Sequence, residues 1–235
     1  GGWRIDDAGL VPSSWLPPTD QPCGVDCISA SQFRWDTFER HYLRHRRPLL
    51  VKGGARFDEH IETCYTREGL VDVAGDRVVH AFNFPYADDF CRQRPVVKTL
   101  RDYVDYLGER LQGNPAADLS YVFLELPENE PLLTFAFQMP NLMKGKVTQM
   151  STQFTVGGVL MGSPMHHHIH AANSLVHGRK LWLLRPPSER EFRNTVMYDD
   201  FVQSGGALGV ARCVQEAGDL LYVPSDWAHG VLCLC

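Results

Sequence analysis

Two kinds of apolar pattern divide this chain near residue 118. Before that point the apolar residues recur at helical spacing. Phe33, Trp35, Phe38 and Tyr42 mark one face of a helix expected from Ser31, which the basic run Arg44 to Arg47 and Pro48 close. Leu49-Leu50-Val51 then reads as a strand ended by Gly53-Gly54, and a second helix is expected from Thr99, with Leu100, Tyr103, Val104, Leu107 and Leu111 on one face and Gly113 and Pro115 as its stop. Beyond residue 118 the runs become β-branched, aromatic and short. Strands are expected within Leu119 to Leu124, Ser151 to Met161, Asn173 to Val176, Lys180 to Leu184, Val210 to Val214, Leu220 to Val223 and Val231 to Leu234, with Pro187 to Phe201 as a polar insertion. The pattern predicts a mainly β fold with flanking helices, an antiparallel barrel or sandwich braced from outside. We expect one domain over residues 25–235, helical over 25–118 and forming the barrel core over 119–235. Residues 1–24, in which Pro12, Pro17, Pro18 and Pro22 crowd together, read as an extended or poorly ordered leader.

Composition narrows the function. A chain of 235 residues with 44% hydrophobic content can build a substantial core. The formal net charge of -5 gives no basic footprint, which argues against direct nucleic-acid binding. No apolar run approaches the roughly 20 residues that span a bilayer, so no membrane span is expected. The start at Gly1-Gly2-Trp3 without Met reads as a processed or trimmed chain. Seven cysteines, Cys23, Cys27, Cys64, Cys91, Cys213, Cys233 and Cys235, leave one over after pairing. Their number is compatible with disulfides in a secretory compartment and equally with buried free thiols. Neither Cys23-x-x-x-Cys27 nor Cys233-x-Cys235 has a second half at zinc-site spacing. The sequence contains no Asn-x-Ser/Thr sequon.

The densest chemistry lies in Met165-His166-His167-His168-Ile169-His170. On an extended strand, side chains at i and i+2 share a face, so His166 and His168 can offer two imidazoles to one ion while His167 points away. A third ligand is available downstream, where the Gly218-Asp219 turn launches an apolar strand that ends at Pro224 and leads to His229. Two strand ligands and a distant histidine suit a metal in the mouth of a small β-barrel. Taken singly, the histidine run also reads as a solvated strand end and His229 as a core residue beside Trp227. His170 and His177 read as structural or surface residues. Lys180 opens an otherwise apolar strand, where a buried ammonium needs an anion. It pairs with a carboxylate of a small diacid cosubstrate or, on the plainer reading, protects a strand edge. Asn173 and Ser163 flank the metal strand and can hydrogen-bond the same cosubstrate or serve turns.

In these residues the chain resembles the Jumonji C (JmjC) branch of the Fe(II)- and 2-oxoglutarate-dependent oxygenases. The resemblance is carried by Ser163-Pro164-Met165-His166-x-His168, Asn173-x-x-Val176, Gly178-Arg179-Lys180-x-Trp182 with Pro186-Pro187, and Gly218-Asp219 through Pro224 to Trp227 and His229. Phe38 through Gly53 resembles the entry helix and strand of that family, and the likeness covers most of residues 25–235. It implies a double-stranded β-helix, a jelly-roll or cupin-like barrel, with Fe(II) on His166, His168 and His229. It also implies 2-oxoglutarate on Lys180 with Ser163, Asn173 and Tyr121, and a protein substrate or protein partner. Within the family the chain looks most like a luminal member whose metal strand also reads His-x-His, which implies the endoplasmic reticulum lumen.

One departure bears on activity. His168 stands where relatives have a carboxylate, and no Asp or Glu lies between Met165 and Lys180. Three neutral imidazoles leave more positive charge on the metal than two imidazoles and a carboxylate. The alternatives are a dioxygenase acting as a protein hydroxylase, a catalytically weak or inactive scaffold, and a zinc-binding module. Because the chain ends at Cys235, just past His229, the last strand is expected to be short or trimmed. Substrate and oligomeric state are not legible in the sequence, because loops and surfaces carry both.

Overall fold

The computed structural model describes residues 3, 10–18, 20, 21, 23–55, 59–82, 95–110, 114, 116, 118–126, 142–147, 151–189, 191–193, 195–204 and 211–235. Two four-stranded sheets carry the site. One has the order β10-β9-β12-β7, built from Ala211–Glu216 (β10), Arg179–Arg185 (β9), Ala228–Cys233 (β12) and Gly162–His166 (β7). The other has the order β1-β2-β11-β8, built from Asp26–Ser29 (β1), Leu49–Lys52 (β2), Leu220–Val223 (β11) and Ala171–Ser174 (β8). Along the chain, β7, β9, β10 and β12 enter the first sheet while β8 and β11 enter the second, a back-and-forth path compatible with a jelly roll.

The two sheets face each other. Leu50, Leu221 and Val223 of one pack against Trp182, Leu184 and Val231 of the other. On the strands' opposite faces, Leu49, Val51, Leu220 and Tyr222 meet Phe33 and Phe38 of the N-terminal segment. Leu181, Leu183, Val214 and Leu232 meet Trp15 and the helix Met197–Gln203. Period-2 alternation is therefore intact, but both faces are apolar, which is why these strands read in sequence as continuous hydrophobic runs.

A third sheet closes one end, in the order β4-β3-β5-β6, from Val96–Thr99 (β4), Val78–Phe82 (β3), Tyr121–Leu126 (β5) and Thr152–Val156 (β6). The helix Leu100–Arg110 lays Leu100, Tyr103, Val104 and Leu107 on it, the face expected from the sequence. Of that helix's expected residues, Leu111, Gly113 and Pro115 lie outside the described ones, as do Val210, Pro22 and Cys91.

Several expectations change. The first helix spans Trp35–Phe38 and continues as a π-helical turn to Leu43, so Ser31 precedes it by four residues. The stretch Ser151 to Met161 is not one strand, because the chain breaks after β6 at Gly157. A Cβ there would lie 2.4 Å from the Tyr121 ring, so the close approach of that ring requires glycine. The insertion after Pro187 holds the helix Met197–Gln203, whose Met197 and Phe201 are buried. Residues 25–118 hold the expected helices and also supply four strands, of which β2 pairs directly with β11. The leader is anchored, since Trp15 is buried and stacks on Phe201 at 4.8 Å between ring centroids. Truncating a buried tryptophan costs on the order of 3–5 kcal/mol, enough to hold a short segment in place.

Two links tie the N-terminal part to the strands of the C-terminal half. Cys23 and Cys213 form a disulfide across 190 residues, beside a backbone bond from Gly24 N–H to the Arg212 carbonyl. Asp219 accepts hydrogen bonds from the Gly53 and Glu216 N–H groups and pairs with Lys52 at 3.1 Å. This carboxylate fastens the Gly218-Asp219 turn to the end of β2, and Gly218 (φ 87°) supplies the left-handed residue the turn requires. Removing the disulfide as Cys23→Ser is expected to lower unfolding free energy by about 2–5 kcal/mol, most of it through the unfolded chain. Urea unfolding of the variant against wild type checks this, and equal midpoints would mean that the bond is not formed.

Candidate metal centre

Strand pairing builds the site. β12 lies between β9 and β7, and His229 is the Cα partner of both Leu184 and His166. The β12–β7 register slips by one residue between His229–His166 and Val231–Ser163. The extra residue falls on β7 where Pro164, which has no N–H to pair, occupies the strand. β7 ends at His166, so His168 sits in the following loop rather than in the same strand as the sequence suggested. That loop is pinned by the Asp226 N–H donating to the His168 carbonyl at 3.0 Å. Asp226 in turn pairs with Arg46, whose carbonyl accepts from the Trp227 indole N–H.

The three rings converge. Their centroids are 4.2 Å apart for His166 and His229, 4.7 Å for His168 and His229, and 5.3 Å for His166 and His168. Candidate ligand atoms of the three lie within 4.8 Å of one another. Each Nδ1 faces a backbone carbonyl: His166 that of Pro164 at 2.8 Å, His229 that of Trp227 at 2.9 Å and His168 that of Ile169 at 2.7 Å. A carbonyl only accepts, so each Nδ1 carries a proton and Nε2 is left as the nitrogen open to a metal. Burial pushes the His166 imidazole down to about 4 and that of His229 well below its ordinary value, so both are neutral at physiological pH. His167 is partly buried and is not part of the cluster.

A cavity of about 1410 Å³ opens onto the three imidazoles, and its wall includes Ser163, Asn173, Lys180 and Tyr121. All seven residues singled out in the sequence therefore meet in one place. Lys180 is buried, with its Nζ donating to Thr155 Oγ1 at 3.2 Å. Among the described residues no carboxylate pairs with it. Burial penalises its charge, while Tyr121 and Cys233 would hold its pKa above the ordinary value. Those two neighbours attract the ammonium only when ionised, and burial raises both of their own pKa values, so at neutral pH they contribute dipoles and no charge. A buried cation is left without a counter-charge, a site ready for an anion. Asn173 adds a buried Oδ1 with no partner among the described residues, while its backbone carbonyl accepts from Gln215.

Sequence reading passed over Gln215 and Thr155. The Gln215 amide is fully buried, accepts from the Trp182 indole N–H and donates to the carbonyls of Asn173 and Asp219, so it sets Trp182 beside His229. Alternation along Ala211 to Glu216 hints at its inward position. His170 proves structural, its Nδ1 accepting from the Ser225 N–H and lying 2.8 Å from the Tyr222 hydroxyl.

No family model matches the chain. Among curated proteins, JmjC domain-containing protein 8 of Mus musculus is 25% identical over 242 residues, 99% of this chain and 85% of the mouse protein. The protein of the same name from Rattus norvegicus is 26% identical over 245 residues, again 99% of this chain and 85% of its own length. The Homo sapiens protein is 25% identical over 242 residues with the same coverage. Over nearly its whole length the chain is thus similar to proteins named for a JmjC domain. Its His-x-His pair and distant histidine occupy a mainly β framework compatible with a jelly roll.

Two outcomes test this geometry. Replacing His229 by Ala is expected to abolish tight Fe(II) binding with most of the fold retained, because one imidazole of three is lost; unchanged metal stoichiometry would remove the site from consideration. The second outcome concerns acid stability. The folded pKa values of His166 and His229 lie below the unfolded value of 6.5, so as pH falls through that value the unfolded chain takes up protons first. Metal-free protein should therefore lose stability between about pH 6.5 and about pH 4, by on the order of 2–3 kcal/mol through His166 alone. Urea midpoints across this range, compared with His166→Gln, check the sign, and identical pH dependence in the two proteins would contradict it.

Proposed function

We propose that the chain is an Fe(II)- and 2-oxoglutarate-dependent oxygenase that hydroxylates a protein side chain, built on a double-stranded β-helix. The observation that carries this reading is the pairing, in one cavity, of three converging imidazoles with a buried ammonium that has no carboxylate partner among the described residues. His166, His168 and His229 would hold the metal, and Lys180, with Ser163, Asn173 and Tyr121, the far carboxylate of 2-oxoglutarate. Strand geometry supports the pairing. Cys233 is the Cα partner of Lys180 and stands four residues after His229 on β12, which separates the two ends by about 13 Å of backbone. The inward-reaching imidazole and lysine side chains shorten that span toward the length of a small diacid.

With Fe(II) and 2-oxoglutarate bound, O2 would be the oxidant: one of its oxygen atoms would enter a C–H bond to give an alcohol and the other would end in succinate, with CO2 released from the 2-oxo acid. The chain's own residues do the rest. The Nδ1–H bonds to carbonyls keep the imidazoles oriented before the metal arrives, so little reorganisation is needed on binding. Trp182 and Val231 form an apolar wall between the two polar ends, which strengthens the attraction between Lys180 and a bound anion by keeping water away.

A second reading, a scaffold that keeps the barrel and has lost turnover, is favoured by the lack of a carboxylate in the cluster. Neutral ligands leave the full dipositive charge of the metal in the site. For the compartment we propose the endoplasmic reticulum lumen, because a disulfide such as Cys23–Cys213 persists in an oxidising environment. Non-reduced peptide mapping of protein made through the secretory route should then recover that bond.

Anaerobic Fe(II) titration with and without 2-oxoglutarate, followed by succinate measurement in air, separates oxygenase from scaffold. Lys180→Ala should weaken 2-oxoglutarate binding by roughly 2–5 kcal/mol and spare the metal, because one partner of a desolvated pair is removed. Absence of 2-oxoglutarate affinity in wild type, unaltered by Lys180→Ala, would establish the scaffold. If wild type binds 2-oxoglutarate but forms no succinate, His168→Asp should start uncoupled succinate release, and its failure to do so would mean that ligand charge is not what limits the iron.

A further inference from the structure

We propose that Thr155 is a positioning residue for the anion end of the cavity, its hydroxyl holding the Lys180 ammonium where the far carboxylate of a dicarboxylate binds. This rests on the reading that the cavity takes 2-oxoglutarate. Thr155 lies on β6 in the end sheet, whereas Lys180 lies on β9 in the barrel, so the 3.2 Å bond between them joins two sheets through the site. Thr155 is the Cα partner of Phe123, two residues from Tyr121 on β5. Residues two apart share a strand face, so Tyr121 and Thr155 are diagonal neighbours on one face, and the Tyr121 hydroxyl interacts with both Thr155 and Lys180.

A lysine has a flexible four-carbon stem and a point-like charge that finds no fixed direction by itself. Here nothing negative is available to orient it among the described residues, so the orientation has to come from dipoles. A threonine hydroxyl supplies such a dipole, because its oxygen accepts from Nζ while its own proton can donate to a neighbouring oxygen. Serine keeps both capacities. Valine, of nearly the same shape, keeps neither. The glycine break after β6 brings this segment close to the Tyr121 ring, which holds the hydroxyls of Thr155 and Tyr121 near the same ammonium.

The test compares wild type, Thr155→Val and Thr155→Ser with Fe(II) under anaerobic conditions, measuring affinity for 2-oxoglutarate and for pyruvate by calorimetry. Pyruvate shares the 2-oxo acid end and lacks the far carboxylate. Thr155→Val should weaken 2-oxoglutarate about tenfold or more, the usual effect of losing a hydrogen bond to a charged group, and leave pyruvate nearly unchanged. Thr155→Ser should restore 2-oxoglutarate binding. Equal losses for both acids would show a merely structural role and overturn the proposal, as would an unaltered 2-oxoglutarate affinity. If wild type binds neither acid, the dicarboxylate reading itself has failed. The nitrogen resonance of the Lys180 ammonium then still decides Thr155: it should move in Thr155→Val and return in Thr155→Ser, and an unmoved resonance overturns the assignment.

Discussion

Everything at the site depends on β12 being paired along both edges. A strand held on one side can slip by a residue and turn each side chain to the opposite face. β12 is held by β9 and β7 together, so His229 faces inward opposite His166, and Cys233 faces Lys180. The metal end and the anion end of the cavity thus lie beside positions four residues apart on one strand, His229 and Cys233. Their separation follows from backbone rise rather than from any loop. The bulge at Pro164 is the one irregularity in this ladder, and it lies where β7 must deliver His166 and then leave the sheet so that His168 can approach from the loop.

Electrostatics of the cavity are lopsided in a way that has consequences for ligand choice. Burial keeps the imidazoles of His166 and His229 neutral, and the only fixed charge deep in the pocket, among the described residues, is the Lys180 ammonium. Burying an unpaired ammonium costs several kcal/mol, which an apolar residue of the same volume would avoid. Retention of such a charge makes sense where an anion neutralises it. A divalent metal on neutral ligands adds two further positive charges, so the cavity as a whole favours a dianion that reaches both ends.

Around this centre, support comes from residues far apart in sequence. Asp219 clamps the Gly218 turn to Gly53 and Lys52, Gln215 joins Trp182 to Asn173 and Asp219, and Arg46 holds Asp226 and Trp227 just before His229. Each is a polar group with its partners satisfied, and each couples an N-terminal or edge element to a strand bearing a site residue. The disulfide adds a covalent tie between the leader and β10. The N-terminal segment is therefore part of the two facing sheets and their outer packing, through β2, Phe38 and Trp15.

The sequence by itself determined the candidate residues: a histidine pair two apart, a third histidine after a Gly-Asp strand, and a lysine in an apolar run. Such signals are local, because ligand spacing and turn residues act over a few positions. It also determined Leu100 to Arg110 as a helix and Leu220 to Val223 as a strand, since amphipathic spacing in one and an apolar run between Gly218-Asp219 and Pro224 in the other leave little choice. Tertiary structure alone decided which strands stand beside one another. Nothing in Thr155 or Gln215 marks them out along the chain, and their roles appear only when β6 meets β9 and β10 meets β9. The same holds for the leader and for the insertion after Pro187, whose Trp15 and Phe201 carry no distinguishing signal until they stack. Burial of both faces hid the strand alternation, and long-range pairing placed the side chains, because contacts between residues far apart in sequence leave no periodic trace in either one.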